Sequence, residues 1–195
     1  NAILTLAAPG ATGSLAANAQ LVIDGSAPTT SLVSATTANG SYGIGRVITL
    51  KVEFSEEVLV DTAGGTPRLQ LETGTNDRYA IYSGGSGSRI LTFTYTVQAG
   101  DTSADLDQLA STALELNGGS IRDAAGNNAI LTLAAPGATG SLAANAQLVI
   151  DTTAPIGAMG NYAPVRSTTT NGSYGIGKVI TLTVEFSEPV LVDTS

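Results

Sequence analysis

The side chains of this 195-residue sequence that can do chemistry are almost all oxygen donors. Cys, His and Trp are absent. Their loss removes disulfides, the usual ligands of zinc and copper, and the commonest general base and triad member. Sixteen Asp and Glu face eight Lys and Arg, a formal charge of −8 that repels nucleic acid and anionic membranes and suits cations. Carboxylate, amide and carbonyl oxygens remain, and that is the ligand set of calcium. The acidic groups that are candidate ligands stand in five places: Asp24, Glu56-Glu57, the stretch AGDTSADLDQ with Asp101, Asp105 and Asp107, the turn DAAGN from Asp123 to Asn127, and Asp151. AGDTSADLDQ is not an EF-hand loop, since the glycine at position 6 and the glutamate at position 12 are missing. A pair such as Glu56-Glu57 has the residue types of a glycosidase, yet nothing else suggests a substrate cleft, and the expectation is that the chain is not an enzyme. The GxG and GSGS strings lack a following helix and lysine, so no phosphate loop is implied. No stretch is long and apolar enough to span a membrane as a helix.

The chain that must position these groups repeats itself. Residues 1–24, NAILTLAAPGATGSLAANAQLVID, recur letter for letter at 128–151, an offset of 127. Residues 38–62 recur almost unchanged at 170–194, an offset of 132, so five extra residues lie between Pro155 and Asn171. The unit is the size of one ordinary domain, far longer than a solenoid repeat. Pro28 and Pro155, in VIDGSAP and VIDTTAP, break strand pairing and punctuate the units. The expected organisation is the tail of one repeat at 1–24, a complete repeat at 25–151, and the opening strands of another at 152–195. No signal peptide is visible at Asn1, and the abrupt ends read as a window cut from a longer array. The two partial repeats also raise tail-to-head joining of copies by strand addition, although no second copy of 63–127 exists to complete the joint unit.

Period-2 alternation marks the strands. Ile48, Leu50, Val52 and Phe54 alternate with polar residues over 47–54, and Leu91, Phe93, Tyr95 and Val97 alternate with threonines over 91–97. Weaker strands are expected at 30–36, 57–61, 68–72, 78–83, 114–116, 119–122, 129–133 and 146–150, with Gly-rich turns between them. Ser103–Thr112 reads as at most a short helical turn. Such a pattern predicts an all-β fold, a two-sheet Greek-key sandwich, with a closed barrel as the alternative. In NGSYGIG, Tyr42 and Tyr174 could stack on a sugar, but a turn with the tyrosine plugging the end of the sandwich is the plainer reading. The threonines at 92, 94 and 96 suit strands whatever else they do.

The order FSEEVLVD, TPRLQL, LTFTYTVQAGDTSADLD, DAAGN, VIDTTAP resembles the immunoglobulin-like, cadherin-like repeats of giant bacterial surface and secreted proteins, many of them adhesins. The resemblance covers essentially the whole chain. It implies Ig-like sandwiches in tandem, calcium at or near the junctions, and an extracellular, cell-surface role in extension or adhesion. The partners it implies are neighbouring repeats, and copies of the chain in a fibre or surface layer. One residue departs from the pattern: a basic residue, Arg46 or Lys178, follows the YGIG turn where the family often has an acidic one, which makes that turn a doubtful metal site.

In an Ig-like sandwich the chain passes from one pole to the other and successive loops alternate. The loop Ser55-Glu56-Glu57, the turn Asp123–Asn127 and the linker residue Asp24 should therefore converge at one pole. Close carboxylates repel, and a divalent cation with six to eight oxygens resolves the conflict. The expected ligands are Asp24, Glu56, Asp123 and Asn127, with Glu57 in reserve. The second copy keeps Asp151 and Glu188 but has Pro189 in place of the second glutamate, which favours Glu56. At the opposite pole Asp101 and Asp105, with Asp107, should face Asp151 and could share a bridging ion or stay solvated. Each segment also has a plain reading: DAAGN as a good turn, Asp101 as an N-cap, Asp24 and Asp151 as strand-end caps. Two roles compete, a calcium-stiffened spacer and a module that itself binds a glycan or protein. The scarcity of aromatic residues favours the spacer.

Overall fold

A computed structural model describes residues 5–157 and 165–194. The chain divides into two compact units, Asn1–Asp151 and Thr152–Ser195. The fold is all-β. The first unit contains a four-residue helical turn α1 (Leu15–Asn18) and strands β1 (Thr30–Ala35), β2 (Gly40–Tyr42), β3 (Val47–Asp61), β4 (Arg68–Leu71) and β5 (Arg78–Gly84). It continues with β6 (Ser88–Thr96), β7 (Thr102–Ser103), β8 (Leu114–Glu115), β9 (Ser120–Arg122), a second turn α2 (Leu142–Asn145) and β10 (Leu148–Asp151). The second unit holds the hairpin β11 (Val165–Ser167) and β12 (Leu182–Val184).

The larger sheet runs β1-β3-β6-β5-β4-β8, all antiparallel, and β9 joins the far end of β3. A smaller sheet has β10 at its centre, parallel to β2 and antiparallel to β7. The alternation read in the sequence is the alternation of burial. Ile48, Leu50, Val52 and Phe54 of β3, and Leu91, Phe93 and Tyr95 of β6, all point into one core. Burying each such side chain is worth about 1.5–3 kcal/mol. Leu133, Leu142, Leu148 and Ile150 close the same core from the C-terminal segment.

Three expectations are corrected. The loop expected at Ser55-Glu56-Glu57 is a bulge inside one 15-residue strand: β3 leaves β6 at Glu53 and regains it at Val58, where the β6 partner has advanced only from Ile90 to Ser88. The extra residues are gripped from outside. Thr29 N–H donates to Ser55 Oγ at 3.0 Å, Ser55 N–H donates to Thr29 O at 2.8 Å, and the Arg89 guanidinium donates to Ser55 O. The bulge bends β3 out of one pairing and into another, with β9. Ser103–Thr112 forms no helix; Thr102–Ser103 pair with β10, Gln108 bridges to Leu71, and the rest is irregular. Residues 129–133 make only isolated bridges, not a strand. The helical turn lies instead at Leu142–Asn145, where Ser141 caps it by accepting from Ala144 N–H at 3.3 Å.

One turn pair fixes the pole where β9 begins. Gly65 and Gly118 both have positive φ, and a Cβ on Gly65 would lie 1.8 Å from Asn117 O. The β3–β4 and β8–β9 turns therefore press backbone to backbone, which only glycine permits. That contact holds the start of β9 against the end of β3.

Candidate functional site

The site is assembled from three separate stretches of chain. Asp24 lies in the linker before β1, Glu56 in the β3 bulge, and Asp123 in the turn after β9. One carboxylate oxygen from each lies within 4.8 Å of the others. Asp24 is exposed, Glu56 half-buried and Asp123 buried. Asn127 stitches the group together: its side-chain N–H donates to Asp123 Oδ2 at 2.7 Å and to the Asp24 carbonyl at 3.2 Å. Asp24 turns back on its own linker, accepting from Ser26 N–H at 2.9 Å.

Asp123 is built to stay charged. Burial acts to raise its carboxyl, but hydrogen bonds from the Asn127 side chain and from the backbone of Asn127, Gly126 and Ala125 outweigh it and hold the group below the ordinary carboxylate range. The ion pairs of the described residues lie elsewhere: Arg68–Glu115, Arg78–Asp101 and Arg166–Glu185. Three carboxylates thus meet with no basic side chain among the described residues paired to them. Each carboxylate oxygen has lone pairs beyond the hydrogen bond it accepts, so the donor set fits a hard, oxygen-seeking cation. The structure thereby brings together Asp24, Glu56, Asp123 and Asn127. Glu57 is exposed on the other side of the bulge alternation and stands outside the trio.

The remaining acidic residues take structural places. Among the described residues, Asp101, Asp105 and Asp151 do not gather into a comparable group. Asp101 is enclosed and its carboxylate is engaged on both oxygens: Arg78 Nε at 2.7 Å on one, Tyr95 O–H at 2.6 Å and Gln98 N–H at 2.9 Å on the other. Burial opposes its charge, yet the donors from Tyr95, Arg78 and Gln98 together set its pKa below the usual value. The same contact, with burial the larger cause, pushes the Tyr95 hydroxyl up. Asp105 and Asp107 serve the C-terminal segment. Asp105 accepts from Leu148 N–H at 3.4 Å, and Asp107 accepts from Gly137 N–H at 2.7 Å. Asp151, the last residue of β10, pairs with Thr102. The loop 101–107 therefore runs beside the end of the unit as expected, but its carboxylates hold protein donors.

Two residues escaped the sequence reading. Arg78 is the counter-charge of Asp101, and the pairing of β5 with β6 brings it there. Gln108 is fully buried and reads the backbone of the C-terminal segment, donating to Ala134 O and accepting from Leu142 N–H, both at 3.0 Å. A polar residue inside AGDTSADLDQLA carried no signal that it was buried. Tyr42 is half-buried against the core at the end of β2, with its hydroxyl donating to Ala38 O. No family model, curated protein or solved structure matches the chain.

Proposed function

We propose that the chain is a length of a tandem array of Ig-like, Greek-key β-sandwich repeats that works outside the cell as a structural and adhesive spacer, non-catalytic, with calcium stiffening each linker. The observation that carries this reading is the meeting of Asp24, Glu56 and Asp123. Asp24 belongs to the linker and the other two to the unit that follows, so a cation held by all three would tie linker to unit. Asn127 would supply an amide oxygen, and water the rest of a six- to eight-oxygen shell. When bound, calcium would neutralise the carboxylates and turn a repulsive cluster into a clasp. The near-identity of the repeats supports a spacer, because a stiff rod needs the same joint at every unit. Asp151 and Glu188 repeat the residues of Asp24 and Glu56.

Melting the protein with calcium and with a chelator tests the reading. Calcium that binds only the folded state stabilises by about 2.7 kcal/mol at a hundred times its dissociation constant, which appears as a higher melting temperature. An unchanged melt would overturn the calcium clasp and leave the tandem β array standing.

A further inference from the structure

Three Asn-Gly pairs occur in the sequence, Asn39-Gly40, Asn117-Gly118 and Asn171-Gly172. At such a pair a chain attacks itself most readily, because glycine has no Cβ to hinder its own backbone nitrogen. The first pair stands at the start of β2, with both residues exposed to water. Its two reacting groups are tied to one residue: Gly40 N–H donates to Gln147 O at 3.0 Å, and Asn39 Oδ1 accepts from Gln147 N–H at 2.9 Å. The tie is only as firm as β2. That strand has three residues and lies at the edge of its sheet, paired among the described residues with β10 alone. Of the three, only Tyr42 is half-buried against the core, so β2 can leave β10 with little apolar surface exposed.

We infer that Asn39 is a site of spontaneous deamidation, gated by the pairing of β2 with β10. When β2 lifts, the Gly40 nitrogen attacks Asn39 Cγ. The N–Cγ bond forms, the Cγ–Nδ2 bond breaks, and the amide leaves as ammonia with the proton that Gly40 gives up. Water then opens the succinimide ring at either carbonyl, giving aspartate or isoaspartate. Aspartate still offers an oxygen to Gln147 N–H. Isoaspartate places one more carbon in the backbone just before Gly40, so Gly40, Ser41 and Tyr42 lose register with Leu148, Val149 and Ile150. A transient opening thereby becomes a permanent loss of one flank of β10. The inference goes beyond the array reading, concerns the complete unit alone, and holds with or without calcium.

The experiment ages the full chain in chelator at mildly alkaline pH and reads each asparagine separately by peptide mass spectrometry, in native buffer and in urea. Each of the two bonds to Gln147 shifts an opening equilibrium about two- to twelvefold, so Asn39 should react about five- to 150-fold more slowly in the folded chain. Tyr42→Ala removes the anchor of β2 and should speed the reaction at Asn39 in native buffer. Asn117, whose Nδ2 donates to Thr66 O at 3.1 Å in the turn between β8 and β9, should keep its parent rate in that variant. The isoaspartate form, separated after ageing, should melt below Asn39→Asp, which should melt with the parent. Equal rates at Asn39 in the folded and the unfolded chain overturn the inference. So does a Tyr42→Ala variant in which Asn39 is no faster, or in which Asn39 and Asn117 speed up together, since the core would then have opened with β2.

Discussion

Residues 1–24 and 128–151 have one sequence and two environments. Both contain the capped turn: Ser14 accepts from Ala17 N–H as Ser141 does from Ala144 N–H, each at 3.3 Å. In both, the asparagine side chain at the end of the turn donates back to the carbonyl of the capping serine. Among the described residues, only the second copy has a strand. Leu148–Asp151 is β10, whereas residues 21–24 have no strand partner and no strand assignment. Hydrogen bonds between residues three or four apart come with the sequence itself, but a strand exists only where another strand receives it. The second unit teaches the same lesson from the other side. Val165↔Val184 and Ser167↔Leu182 reproduce the register of Val33↔Val52 and Ala35↔Leu50, because a hairpin carries its own partner. Its inward positions nevertheless stay open: Val184 and Phe186 are exposed where Val52 and Phe54 are buried.

The sharpest way to break this contrast is truncation of the same leucine in both copies. Leu142→Ala should cost about 2–5 kcal/mol by opening a cavity in the core, while Leu15→Ala should leave the chemical-denaturation midpoint of the complete unit unchanged. Equal losses would mean that the first copy is also packed. A smaller effect separates the two acidic regions. Asp101→Asn should cost about 2–3 kcal/mol at neutral pH, because it leaves Arg78 without its charge partner in a largely enclosed place. The folded-state pKa of Asp101 lies below its unfolded value, so the stabilisation is complete above about pH 4 and fades as pH falls through the folded value. Melts of the two proteins should therefore converge in acid, and a constant gap would show that the charge is not what matters. The smallest effect in chelator belongs to the trio. Glu56→Gln should melt with the parent, or slightly above it since a repulsion is relieved, and should lose any rise that calcium gives the parent.

How much was legible before the structure depended on range. The strong strands were readable because alternating residues bury one face, and β3 and β6 fall where Ile48–Phe54 and Leu91–Val97 placed them. The β3 bulge was not, because Ser55-Glu56-Glu57 looks like any polar loop until Thr29 and Arg89 are known to grip it. The short strands β2 and β7 were missed for the same reason: they exist only beside β10. A meeting of Asp24, Glu56, Asp123 and Asn127 was expected from an alternation of loops between poles, but Glu56 reaches the group from a bulge inside β3 and not from a loop. The fate of Asp101 needed atoms, since its partners Arg78 and Tyr95 lie on two other strands.

The central place of β10 also sets a clock. It joins β2 to β7, segments about sixty residues apart, and it is the last part of the unit to be made. At a synthesis rate of about 5–20 residues per second, residues 128–151 take about 1–5 s to add. Through that interval the nascent unit stands without the strand that joins β2 to β7.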